Sequence, residues 1–248
     1  MDEKLLKNML TVHKDLPQEG PGSGKSTARA LKMIPDLPAD PQILDIGCGP
    51  GRQTIDLAEN TGGVVTAIDI FDQYLDQLRK KAKAKGLSEK IRLMNCSMDN
   101  LPFSEEQFDL VWSEGAAYLM GFEKALSYWK KFLKPKGCLA LTEVAWIKPD
   151  PPEDLRQFWH ESYPAIKTIE GNIPVIEKCG CRLIGHFTLP ESDWWQYYKP
   201  LKKRIESLKK TGSPELMEYI KSEEAEMELY NKYSKHYGYE FFVMQKES

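Results

Sequence analysis

The sequence predicts an α/β protein: a doubly wound, mostly parallel sheet with helices on both faces. Short β-branched runs alternate with helical patterns from residue 43 onward, which is how strand-helix-strand units read in sequence. At 248 residues the chain is long enough for one sizeable core. Its 41% hydrophobic and 29% charged residues are ordinary for a globular domain and give no signal of disorder or of a membrane span.

The elements follow in order. An amphipathic N-terminal segment leads to Gly20-Pro21-Gly22-Ser23 and a helix starting at Ser23 or Ser26 and ending near Ile34, with serine as its cap. "QILDIG" and "GVVTAID" are short, β-branched and bounded by proline or glycine, so they read as buried strands, with the helical "RQTIDLAEN" between them. "FDQYLDQLRKKAKAKG" puts Leu75, Leu78 and Ala82 on one helical face, with Asp72 as the expected cap. "KIRLMNC", "FDLVWS" and "GCLALTEVAWI" make strands three to five, the last introduced by a turn at "LKPKG". Before that turn, Phe122, Ala125, Leu126, Trp129, Phe132 and Leu133 form an apolar helical stripe that stops at Lys134-Pro135. An aromatic-rich helix follows the prolines near 150, and a short helix covers 171–180. "RLIGHFTL" is a sixth strand. Ser213 caps a helix with Pro214 at its first position and Leu216, Ile220, Met227 and Tyr230 inward, and "GYEFFVMQK" is a seventh strand. No linker separates these into several domains.

Several function classes are disfavoured. Lys plus Arg number 34 against 37 Asp plus Glu, a net charge of −3, so no global field draws the chain to nucleic acid. The basic run "RKKAKAK" closes a helix before Gly86, where cations offset the helix dipole. The five cysteines at 48, 96, 138, 179 and 181 form no pair of pairs for zinc and are expected as reduced thiols, with no metal. The N-terminus has no signal-peptide core, and a cytoplasmic location without membrane attachment is the expectation. "EGPGSGKS" resembles a phosphate loop, but its first glycine would have to be residue 19, which is Glu19, and no buried strand precedes it.

The informative stretch is "ILDIGCGPGRQT", where a buried strand runs through glycines into a helix. A dinucleotide fingerprint needs glycine at 52, which is Arg52. What stands instead is Asp45 followed by Gly47, Gly49 and Gly51. This resembles motif I of the class I S-adenosylmethionine-dependent methyltransferases, a Rossmann-like fold with a seven-stranded sheet. "CSMDNLPF", "FDLVWSEGA" and "LKPKG" resemble later segments of that family, so the resemblance spans roughly residues 40–147. "GPGS", "CSMDNLPF" and "WSEGAAYLMGF" look closest to small-molecule enzymes of the quinone-biosynthesis C-methyltransferase type.

The resemblance implies S-adenosylmethionine as cofactor, S-adenosylhomocysteine as product and a small molecule as methyl acceptor. The alternatives are a protein or RNA acceptor, or a non-catalytic module that keeps the cofactor as a ligand. It divides the single domain into an N-terminal helical cap at 1–38, a cofactor-binding core at 39–147 and substrate-side elements at 148–248. Gly47, Cys48, Gly49, Gly51 and Ile70 are expected against the cofactor, Asp69 at its ribose, and Ser97, Met98 and Asp99 at adenine. Relatives often carry aspartate where Ser97 stands, which shifts the acceptor role toward Asp99 or a carbonyl. Asp45 either fixes the loop or lies near the methionine end, and Met98 is either core or backbone contact. Gly22 and Ser23 are either a capped turn or part of a nest of N–H groups over the ligand. Glu114, just after strand four, is the candidate base, substrate anchor or cofactor contact, against an exposed loop carboxylate. Tyr118, Glu143 and Trp146 are further pocket candidates. Trp194 and Trp195, with Phe158, Trp159 and Tyr163, form either a lid over an apolar or cationic substrate or ordinary packing. His160 and His186 are expected to be structural.

Overall fold

The computed structural model describes residues 3–210 and 212–247. Its sheet is built from β1 (Gln42–Ile46), β2 (Val64–Asp69), β3 (Ile91–Asn95), β4 (Phe108–Ser113), β5 (Leu133–Trp146), β6 (Lys167–Thr168), β7 (Cys181–Thr188) and β8 (Tyr237–Lys246). The strand order is β3-β2-β1-β4-β5-β8-β7, and β6 adds a two-residue pairing to β5. All pairings are parallel except those of β8, which runs antiparallel to both β5 and β7. The sheet is thus the mostly parallel arrangement, with helices on both faces, that the strand-helix alternation predicts.

Strand order reverses between β1 and β4, neighbours paired at Asp45 and Trp112. At such a switch point the connections leave in opposite directions and open a crevice beyond the strands' C-terminal ends. The glycine segment follows β1 and Glu114 follows β4, so both arrive at this crevice.

Side chains alternate across each strand and separate two cores. Ile43, Val65, Ala67, Leu110 and Trp112 meet α2 (Gly24–Leu31), α3 (Arg52–Asn60) and α4 (Asp72–Ala84). Leu44, Ile46, Ile68, Val111 and Leu139 meet α5 (Phe122–Trp129) and α7 (Ile169–Lys178). A third, aromatic-rich cluster joins α1 (Glu3–Val12), α6 (Glu153–Ser162), α8 (Glu191–Leu208) and α9 (Pro214–Tyr233) over Val144 and Tyr237. In it Trp194 stacks on Tyr230 with ring centroids 4.0 Å apart.

The structure corrects two local expectations and adds two elements that the sequence reading did not delimit. β5 begins at Leu133, so "LKPKG" belongs to the strand; a register shift opposite Phe108 and Leu110 absorbs it, with Lys136 at φ 63°. Asp72 does not cap α4: Phe71 stands at the cap, its N–H donates to Asp69 at 3.0 Å, and Asp72 instead accepts from Asn95. β6 is too short to leave a periodic pattern. The eighteen-residue α8 carries Pro200 in its interior, which hides its extent in the sequence. The caps at Ser23 and Ser213 do form, each hydroxyl accepting from the backbone N–H three residues on.

Gly51 is the N-cap of α3 at φ 86°, and a Cβ there would overlap the side chain of Leu78 on α4. Only glycine satisfies both demands. Gly51→Ala is expected to lower unfolding stability by about 1–3 kcal/mol, from positive φ and overpacking together. Urea denaturation measures this, and an unchanged midpoint contradicts the packing account.

Candidate active site

A cavity of about 650 Å³ opens at the switch point, within the roughly 300–1,000 Å³ range of small-molecule sites. One end is walled by Gly47, Cys48 and Gly49 after β1, Asp69 and Ile70 after β2, Ser97, Met98 and Asp99 after β3, and Glu114 after β4. Of the sequence-expected residues, Tyr118, Phe158, Trp159, Tyr163 and Trp194 line it as well. The structure therefore brings most of the expected set together.

Asp69 holds the floor of this end. Its Oδ2 accepts from the Gly49 N–H at 2.9 Å and its Oδ1 from Phe71, tying the glycine segment to the start of α4. Burial raises its pKa, against the opposing effect of those backbone donors. Gly47 sits at φ 69°, and a Cβ there would lie 2.6 Å from that of Ala116, so the segment approaches the chain after β4 as closely as a bare backbone can. Beside Asp69, Ile70 is 52% exposed, an apolar surface open to the cavity. The Ser97 hydroxyl donates to Asp99 at 2.6 Å. The Met98 carbonyl is already taken by the Trp129 indole N–H at 3.0 Å.

Glu114 is no exposed loop carboxylate. Its side chain is 3% exposed and pairs with Arg52; its other oxygen accepts from Thr27 and from the Trp112 indole, each at 2.9 Å. This clamp joins α2, α3 and β4.

Other expected residues do not line the cavity. Asp45 shares a strand face with Ile43, so its carboxylate runs under α3, accepting from Thr54 at 2.5 Å and Gln53 at 3.4 Å; burial pushes its pKa up to about 7. Gly51 turns toward Leu78. The Gly22 N–H donates to the Asp193 carbonyl at 3.3 Å, and a Cβ on Gly22 would meet Arg52 and Glu114, so the residue is a packing slot rather than an open nest. Ser23 is occupied as the cap of α2. Glu143 is buried opposite Glu240 in the sheet, and burial raises its pKa to about 7. Trp146 and Trp195 pack on the aromatic cluster. His186 pairs with Glu240 at 2.5 Å, away from the cavity, and His160 is exposed.

The opposite wall comes from residues that sequence patterns do not reveal as a group. His13 follows α1 and is 8% exposed in its side chain; Nδ1 pairs with Glu19 at 2.8 Å and Nε2 with Glu223 at 3.2 Å. Burial works against its imidazolium, but the two carboxylates outweigh it and raise its pKa to about 9. Glu19 also accepts from the Tyr74 hydroxyl at 2.9 Å. Glu226, one helical turn beyond Glu223 on α9, accepts from Tyr198 at 2.9 Å; burial and the neighbouring Glu223 raise its pKa to about 7. The spacing of Glu223 and Glu226 was visible in the sequence; their meeting with His13 was not.

Residues 43–137 match the family model for a methyltransferase domain. The chain is similar to the uncharacterized methyltransferase YodH of Bacillus subtilis, 32% identical over 137 residues, 55% of this chain and 57% of that protein. It is also similar to malonyl-[acyl-carrier protein] O-methyltransferase of Enterobacter lignolyticus, 33% identical over 119 residues, 48% of this chain and 43% of that one. The chain spans about half the length of these curated relatives. A S-adenosylmethionine-dependent methyltransferase from Geobacter sulfurreducens, solved with S-adenosylhomocysteine, superposes with a TM-score of 0.84 at 16% identity, covering 97% of this chain and 98% of that one. Residues 43–137 are thus a methyltransferase domain, and the chain has the fold of the class I S-adenosylmethionine-dependent methyltransferases.

The His13 network predicts a pH dependence. A folded-state pKa near 9 against an ordinary 6.5 stabilises the fold by up to about 3 kcal/mol below pH 6.5, and this is lost as pH rises through 9. In urea titrations the stability gap between wild type and His13→Asn should be widest near pH 6 and shrink by pH 9.5. A gap constant over that range contradicts the assigned ion pairs.

Proposed function

We propose that the chain transfers the methyl group of S-adenosylmethionine to a small-molecule acceptor bound in the same cavity. The observation that carries this reading is the meeting of the glycine segment, Asp69 and Glu114 at the switch point of a methyltransferase-type sheet. The residues present fit the cofactor. Asp69 lies at the end of β2, where carboxylate oxygens accept from ribose hydroxyls. Ile70 offers an uncovered apolar side chain, and Ser97 and Asp99 supply polar atoms beside it for the adenine.

S-adenosylmethionine, when bound, supplies a methyl carbon already activated by the sulfonium. The chain's own part is then alignment and exclusion of water. Glu114 serves best as an anchor, since both its oxygens are engaged and proton abstraction would require breaking a buried ion pair. Phe158, Trp159 and Tyr163 wall the acceptor side.

A small molecule is favoured over RNA because the cavity wall is rich in carboxylates, which repel phosphates. The resemblance to quinone C-methyltransferases rests on segments at the glycine-loop end, and so speaks for the cofactor half more than for the acceptor. Asp69→Asn should weaken S-adenosylhomocysteine binding about tenfold or more in calorimetry, in line with losing a charged acceptor. Unchanged affinity contradicts the ribose role. Incubation with methyl-labelled S-adenosylmethionine and a cell extract should label a metabolite; label on protein or RNA alone overturns the small-molecule acceptor.

A further inference from the structure

Beyond the glycine end, the cavity continues into a chamber between α1, α6, α8 and α9 whose chemistry is unusual. Ten residues lining the whole cavity are aromatic: Phe71, Phe158, two tryptophans and six tyrosines. Of the six carboxylates among the described lining residues, Asp69, Asp99 and Glu114 belong to the glycine end and Glu19, Glu223 and Glu226 to the opposite wall; the lining bases are Arg52 and His13, with no lysine. Neither base is spare. Arg52 is held by Glu114 and Asp56, and His13 by Glu19 and Glu223. Among the described residues that line the cavity, no cation is left to receive an anionic acceptor.

The surplus negative charge lies on α9. Glu226 meets Tyr198 through one oxygen, and no protein donor to its other oxygen is found among the described residues. Nearby, the Trp194 indole N–H has no partner on a residue at least nine-tenths buried, and Trp194 lines the cavity. That N–H calls for an acceptor oxygen elsewhere on the ligand, since an ammonium only donates. Unpaired buried polar atoms cost free energy, so a ligand that satisfies them gains affinity. Aromatic faces joined to a desolvated carboxylate form the combination that attracts an alkylammonium, through the ring quadrupoles and through charge. A neutral quinone or sterol would leave the second oxygen of Glu226 without a charged partner, and a carboxylate or phosphate would be repelled.

We propose that the methyl acceptor is an amine, held in this chamber with its nitrogen facing Glu226 and Glu223 and its substituents against the tyrosine and tryptophan faces. The inference rests on the methyltransferase reading above and adds the class of acceptor. In the transfer, the amine lone pair forms the N–C bond while the C–S bond breaks with its electron pair going to sulfur. The positive charge passes to the methylated ammonium, opposite the carboxylates. An acceptor that arrives protonated first gives its proton to Glu226, which releases it to solvent. The relay Glu19–His13–Glu223 links this wall to the glycine segment, since Glu19 packs against Gly49.

The test uses binding, not turnover. Choline and its uncharged isostere 3,3-dimethylbutan-1-ol are titrated into the 248-residue protein by calorimetry, with and without S-adenosylhomocysteine. Choline should bind about tenfold more tightly or better, and Glu226→Gln should remove most of that preference while leaving the isostere unaffected. Equal binding of the two probes by the wild type overturns the amine assignment whatever the variant does. A preference that survives in a Glu226→Gln protein still able to bind S-adenosylhomocysteine overturns the role given to Glu226. Failure of the wild type to bind S-adenosylhomocysteine strikes at the methyltransferase reading instead, so the two failures are told apart.

Discussion

A carboxylate sealed at the C-terminal end of β4 must be paired, and Glu114 is paired by three different elements. Arg52 reaches it from the first turn of α3, Thr27 from α2 and Trp112 from its own strand. Truncating Arg52 leaves the buried charge of Glu114 without compensation, a cost of about 3–5 kcal/mol. The clamp therefore fixes where the glycine segment ends and where the N-terminal segment crosses the crevice. With Gly22 filling the slot beside Arg52 and Glu114, Glu19, Gly20 and Pro21 are laid along the cavity wall. The "EGPGSGKS" stretch is thereby explained: it is the strap over the crevice, and its serine caps the helix that carries Thr27.

The cavity has two chemistries because its walls have two origins. The floor comes from loops at the ends of β1 to β4, which the sheet places within a few residues of one another in register. The roof comes from helices outside the sheet, joined by ring stacking around Trp194 and by the ion pairs of His13. A fold core of this kind can thus hold one ligand while the surrounding helices decide which second molecule fits beside it.

The floor was legible in the sequence because its signals are local. A buried strand followed by closely spaced glycines and a helix, and an acid at the tip of the next strand, are each read within a dozen residues. The sequence left Asp45 between fixing the loop and lying near the methionine end; the structure shows that it shares the parity of Ile43 and points under α3. The glycines looked alike in sequence, yet Gly51 answers to Leu78 and Gly47 to Ala116, a distinction that depends on packing partners far along the chain. The roof was not legible. His13 and Glu223 stand 210 residues apart, and nothing in the amphipathic pattern of either helix marks the pairing. The aromatic run at 193–200 could be read as lid or as core; Trp194 is both, stacked on Tyr230 and lining the cavity, while Trp195 only packs.

The central claim is that the glycine segment and Asp69 form the adenosyl end of the cavity, with the aromatic chamber beyond it. A crystal structure of the protein grown with S-adenosylhomocysteine tests this most directly. The account predicts ribose hydroxyls on the Asp69 carboxylate, adenine against Ile70, and the sulfur facing the chamber bounded by Tyr163 and Glu226. Adenosine seated anywhere else, or a sulfur turned away from that chamber, contradicts it.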